Sequence, residues 1–103
     1  MSKTWANMTA ADLGSEIGKG RINPVDLAEF FIDKIASHTA ADRIFARTTI
    51  ARARGEAMAA AGRAKSGQRR GVLDGVPISW KDLFDSADVA TEAGSALLRG
   101  RTP

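Results

Sequence analysis

The sequence has 103 residues and a net charge of +3, enough for one domain at most. It has no cysteine and a single histidine, which excludes a disulfide framework, a thiol nucleophile, a cysteine-based zinc site and any His–His metal pair. No apolar run approaches the ~18 residues of a membrane span, and Met1-Ser2-Lys3-Thr4-Trp5 lacks an apolar signal core, so the expected location is the cytoplasm.

Nineteen residues are alanine, and Leu, Ile, Val and Phe together number only 21. Such a chain builds a thin core, and further sequence or a partner is expected to complete it. The first predicted helix covers about 9–19. Thr9 can cap it, Asp12 suits the positive end of its dipole, and Leu13 and Ile17 share a face before Gly18-Lys19-Gly20 stops the run. A stronger helix is predicted over 24–37, with Asn23 as cap and Pro24 in the first helical position. Leu27, Ala28, Phe31, Ile32 and Ile35 recur on one face of it, and Asp26, Glu29 and Asp33 face away. His38, just past this helix, reads as structural, favoured there by the helix dipole.

Residues 43–48 read as a short strand through Ile44, Phe45 and Thr48. A third helix is predicted over 50–65, where Ile50, Ala53, Ala57, Ala60 or Ala61, and Ala64 form an apolar stripe. Small side chains let a neighbouring backbone approach closely, so this helix should lie tight against another element. Residues 47–71 also hold seven Lys/Arg against one acidic residue, which is the whole basic excess of the chain. A nucleic-acid surface would gather these charges on one face with aromatics among them. Here they flank the alanine stripe on both sides with no aromatic between, which reads as a solvated helix edge.

After the polar loop 66–71, Gly71-Val72-Leu73-Asp74-Gly75-Val76-Pro77 is turn-forming. A second strand is predicted over 77–81, with Ile78 and Trp80 on one face and Ser79 and Lys81 on the other. A lysine leaving a buried strand can be neutralised by desolvation and then serve as a base. It can equally reach for water or pair with Asp82, and spacing alone favours that plainer role. Residues 82–94 read as a loop, and 95–99 as a helical turn.

The residues around Lys81 carry more. Leu73-Asp74-Gly75-Val76-Pro77-Ile78-Ser79-Trp80-Lys81-Asp82-Leu83-Phe84-Asp85, followed by Thr91-Glu92-Ala93-Gly94-Ser95, resembles the opening of the amidase signature family, which includes the A subunit of tRNA-dependent amidotransferases. The order upstream is similar too: a Thr-Ala-Ala-Asp-Leu helix, a Gly-Arg linker, an Asn-Pro-Val-Asp-Leu helix, a short strand and an alanine-rich helix. The resemblance implies an α/β fold, of which this chain would supply the N-terminal helices and first strands of a mixed sheet. It implies cleavage of amide carbon–nitrogen bonds by a Ser, cis-Ser, Lys triad, with Lys81 matching the lysine. It implies no metal or organic cofactor. The expected partners are a small-molecule amide, the rest of the amidase domain and, for an amidotransferase component, tRNA; no membrane is expected.

The family's two serines and its oxyanion-hole amides come from a Gly/Ser-rich stretch well downstream, and Arg101-Thr102-Pro103 is reached before any such stretch. The serines at 2, 15, 37, 66, 79, 86 and 95 lack that context, so 103 residues alone are expected to be inactive. Phe84, Asp85 and the 91–95 loop are candidates to line or support the site. A non-catalytic truncated product and a small basic binding protein are the competing readings. An amidase fragment predicts exposed apolar surface beside Lys81, whereas a binding protein predicts self-sufficient packing.

Overall fold

The helices start and stop on local chemistry. In the computed structural model, which describes residues 2–82 and 84–103, a 3₁₀ turn at Ser2–Asn7 leads into α1 (Ala10–Gly18). The Thr9 hydroxyl accepts the Asp12 N–H at 3.0 Å, satisfying one of the orphan donors of the first turn. α2 (Pro24–Ser37) opens in the same way, with Asn23 Oδ1 accepting the Val25 N–H at 2.9 Å. A single turn, α3 (Ala41–Ile44), follows, and then α4 (Ile50–Lys65). α1 and α4 end alike. Gly20 and Gly67 take left-handed backbone, and the next N–H reaches back five residues, Arg21 to Glu16 O at 2.9 Å and Gln68 to Arg63 O at 2.8 Å. His38 closes α2, and its Nδ1 accepts the Ala40 N–H at 3.1 Å, which starts the turn into α3.

Leu13 and Ile17 of α1, Ile22 of the linker and Leu27 of α2 form the core, with Trp5, Met8, Phe31, Ala64 and Val76 packed around them. α2 and α4 lie against each other, and the buried alanines Ala28, Ala57 and Ala60 explain why they can. Arg54 of α4 spans to Glu29 of α2 with two hydrogen bonds of 2.6 and 3.2 Å. Phe30 leaves the core face and meets the Trp5 ring edge-on at 5.4 Å.

The loop after α4 is stapled to the helices by arginines. Arg69 Nη2 donates to the carbonyls of Gly14, Val72 and Asp74 at 3.0, 3.2 and 3.1 Å. Arg63 grips the Asp74 carboxylate through two bonds of 2.8 and 2.7 Å. Next to it, Gly75 has φ of +99°, and a Cβ there would sit 2.9 Å from Pro24 Cγ and 3.2 Å from Ile17 Cδ1. No side chain fits in that space, so the turn 73–76 can press directly on α1 and α2.

The helical part of the expected architecture is present, but the expected strands are not. Every regular element among the described residues is helical. Over 43–48, the Ala40 carbonyl accepts from the N–H groups of Arg43 and Ile44 at 3.0 and 3.1 Å, so Ile44 closes α3 despite its β-branched side chain. Phe45 is then extended, with no strand partner among the described residues. Residues 77–81 have no ladder among the described residues either, and a strand exists only through its pairing. The isolated bridge between Ser86 and Val89 is a tight turn. An α/β sheet is therefore not formed among the described residues of this chain.

Candidate functional site

Pro77 leaves the stapled loop and the chain runs on to Lys81 along the outside of the molecule. Ile78 is 66% exposed and Trp80 73%, and the Trp80 ring meets Phe84 edge-on at 6.1 Å. Lys81 is exposed, and among the described residues its amine has no hydrogen bond or ion pair. Asp82, the partner that sequence offers it, turns elsewhere.

Arg47, in the extended link between α3 and α4, takes that carboxylate. Its Nη1 lies 2.7 Å from Asp82 Oδ1, and its Nη2 lies 3.5 Å from Glu92 Oε1. Asp82 Oδ1 also accepts the Glu92 N–H at 3.2 Å, and Glu92 Oε2 accepts the Gly100 N–H at 2.7 Å. The Arg47 guanidinium holds the Asp82 carboxyl below its ordinary range, helped by the backbone N–H groups of Glu92 and Ala93. Four separate segments thus meet one residue beyond Lys81. Lys81, Asp82, Ala93 and Gly94 surround a small open cavity of about 270 Å³ there. Sequence reasoning singled out Lys81 and, within the 91–95 loop, took in Glu92 as a supporting candidate, but it did not single out Arg47. Arg47 is 35 residues from Asp82 and looked like one more charge in a basic segment.

A second, larger groove of about 1250 Å³ lies between α2, the α3–α4 link and residues 73–91, with Phe31, Ile35, Phe45, Ile50, Ile78 and Trp80 on its walls. The remaining candidates play supporting parts. Asp85 is held by Arg101 through bonds of 2.7 and 3.1 Å. Thr91 is buried and donates to the Phe84 carbonyl at 3.4 Å. Ser95 Oγ accepts the Leu97 N–H at 3.3 Å and caps the 3₁₀ turn Ala96–Leu98. Phe84 is 58% exposed.

The basic segment is largely spent on the chain itself. Arg47, Arg54 and Arg63 pair with acidic residues of other segments, Arg52 pairs with Glu56 and donates to Ser86 Oγ, and Arg69 holds carbonyls. Among the described residues no three His, Asp or Glu side chains converge as metal ligands, and no helix is long and apolar enough to cross a membrane.

Residues 26–103 match the Amidase family, a stretch that takes in both the Arg47–Asp82–Glu92 cluster and Lys81. The chain belongs to the amidase family. Among curated proteins it is 34% identical over 102 residues to the A subunit of the glutamyl-tRNA(Gln) amidotransferase of Anaeromyxobacter dehalogenans, covering 99% of this chain and 21% of that protein. The corresponding protein of Thermobifida fusca is 32% identical over 93 residues, 90% of this chain and 19% of the relative. A mitochondrial counterpart from Ornithorhynchus anatinus is 30% identical over 96 residues, with 93% and 18% covered. This amidase-family chain thus spans about a fifth of the length of the relatives it matches. No solved structure matches it.

Proposed function

We propose that this chain is the N-terminal part of an amidase-type hydrolase, with Lys81 as the base of a Ser, cis-Ser, Lys triad. Both serines would come from sequence beyond residue 103, so the 103 residues by themselves do not turn over substrate. The observation that carries this reading is the position of Lys81. It follows Gly75-Val76-Pro77 inside the family match, on an exposed segment, with an amine that no carboxylate of the described residues occupies.

A serine hydroxyl is a weak nucleophile until a base relieves it of its proton. In the proposed reaction, the Lys81 amine takes a proton from the bridging serine, which in turn takes one from the nucleophile. The nucleophilic oxygen adds to the amide carbonyl carbon, and the tetrahedral adduct collapses with cleavage of the C–N bond. The proton held by Lys81 returns through the bridging serine to the leaving amine. Water, or another acceptor, then releases the acyl group from the enzyme. The residues from 77 to 81 would join a mixed sheet in the whole domain, which gives the apolar Ile78 and Trp80 side chains a surface to cover. The substrate is a small amide, in the cytoplasm. A tRNA-linked role is the form this takes if the protein is part of an amidotransferase, as the relatives' names invite. The basic-binding alternative is weaker, because the arginines it needs are already paired within the chain.

The test is turnover of simple amides by the complete polypeptide carrying Lys81→Ala. Loss of a general base lowers kcat by at least ~100-fold, while circular dichroism and Tm stay close to the parent's. Activity within a few-fold of the parent would overturn the assignment of Lys81.

A further inference from the structure

The cluster beside Lys81 joins segments that are far apart in the sequence. Arg47, Asp82 and Glu92 are each only about a quarter to a third exposed at the side chain, at 27%, 25% and 30%. A pair in that setting returns modest stability, because desolvation offsets much of the attraction. Its geometric effect is larger. One carboxylate oxygen, Asp82 Oδ1, receives both the Arg47 guanidinium at 2.7 Å and the Glu92 N–H at 3.2 Å. The backbone that carries the Lys81 side chain is thereby tied to the α3–α4 link on one side and to the 91–95 loop on the other. The same contacts engage the adjoining Asp82 carboxylate, which makes no ion pair with the Lys81 amine among the described residues.

We propose that Arg47 and Asp82 are positioning residues for Lys81, a clamp that fixes the lysine's backbone and keeps the Asp82 carboxylate from pairing with its amine. The inference rests on the reading of Lys81 as the base and adds the two residues that hold it ready. Neither touches the substrate. Their effect falls on the catalytic step, because a lysine that wanders by an ångström, or sits in an ion pair, transfers the serine proton poorly.

The experiment is steady-state amide hydrolysis by the complete polypeptide as parent, Arg47→Ala, Arg47→Lys, Asp82→Asn and Lys81→Ala. The clamp predicts that Arg47→Ala lowers kcat by ~10–100-fold while KM and Tm stay near the parent's values. Arg47→Lys, which keeps the charge but not the fork, recovers part of that loss. Asp82→Asn keeps the shape and backbone acceptor and still lowers kcat, so it decides the matter if Arg47→Ala fails to fold. The clamp is overturned if Lys81→Ala is inactive while Asp82→Asn or a folded Arg47→Ala keeps the parental kcat. It is also overturned if kcat falls only in proportion to the folded fraction, or if Arg47→Lys recovers nothing. If Lys81→Ala itself stays active, the underlying reading of the lysine fails, and the clamp with it.

Discussion

Asp74 shows what one well-placed carboxylate does for this chain. Its side chain is only 8% exposed, it takes two bonds from Arg63, and Oδ2 also accepts the Arg70 N–H at 3.0 Å. Those donors hold its carboxyl well below the ordinary value of 3.8, with Arg63 the largest cause. A depressed carboxylate stabilises the fold at pH values above its unfolded value. That contribution is lost as pH falls below 3.8 toward the folded-state value. Asp74→Asn should therefore cost about 1–3 kcal/mol at neutral pH, the penalty of leaving Arg63 half-satisfied. The gap from the parent should narrow at about pH 3, and urea unfolding at both pH values reads it directly. Arg54–Glu29 is the contrast, since both side chains are 40% exposed or more. Glu29→Gln should leave the urea midpoint unchanged, because exposed pairs contribute little.

Among the elements, the helices were legible because their signals are local. Thr9, Asn23-Pro24 and Gly20 act within a turn of themselves, and each does in the structure what its chemistry predicts. The expected strands over 43–48 and 77–81 are not formed, because a strand is a property of two segments and no pairing segment is present among the described residues. Ile44 and Phe45 carry β-forming side chains, yet local hydrogen bonding to Ala40 and Ala41 wins when no ladder competes. The candidate site divides the same way. Lys81 could be singled out from contiguous motif residues, whereas its Arg47 neighbour is close only after folding. α4 also carries two glycines, Gly55 and Gly62, with nothing within 4 Å of where a Cβ would stand. Gly55→Ala and Gly62→Ala should each stabilise the chain by about 0.5–1 kcal/mol. Thermal unfolding should show Tm rising by a few degrees for each; a fall would mean that α4 packs there against something the chain alone does not hold.

At the scale of the whole molecule the packing is unfinished. The Cα radius of gyration is 15.0 Å, against about 13 Å for a compact domain of 100 residues. Among the described residues, Leu13, Ile17, Ile22 and Leu27 make the core cluster, while Val72, Leu73, Ile78, Trp80 and Phe84 are exposed along one stretch of chain. Exposed apolar residues scattered singly need no explanation, but a run of them beside an open groove marks a surface meant to be covered. Under the proposed function, the covering surface is the rest of an amidase domain, in keeping with the family match and the fifth of the relatives' length that the chain spans.

Trp80 reports on that directly, because Trp5 is the only other tryptophan and can be replaced by phenylalanine. The measurement is acrylamide quenching of Trp80 fluorescence in a Trp5→Phe background, in this 103-residue chain and in the complete polypeptide. Strong quenching in the short chain and strong protection in the long one is the result expected if the segment bearing Lys81 is built into a larger sheet. Equal, strong quenching in both would contradict it, leaving Lys81 on an open surface with no site around it.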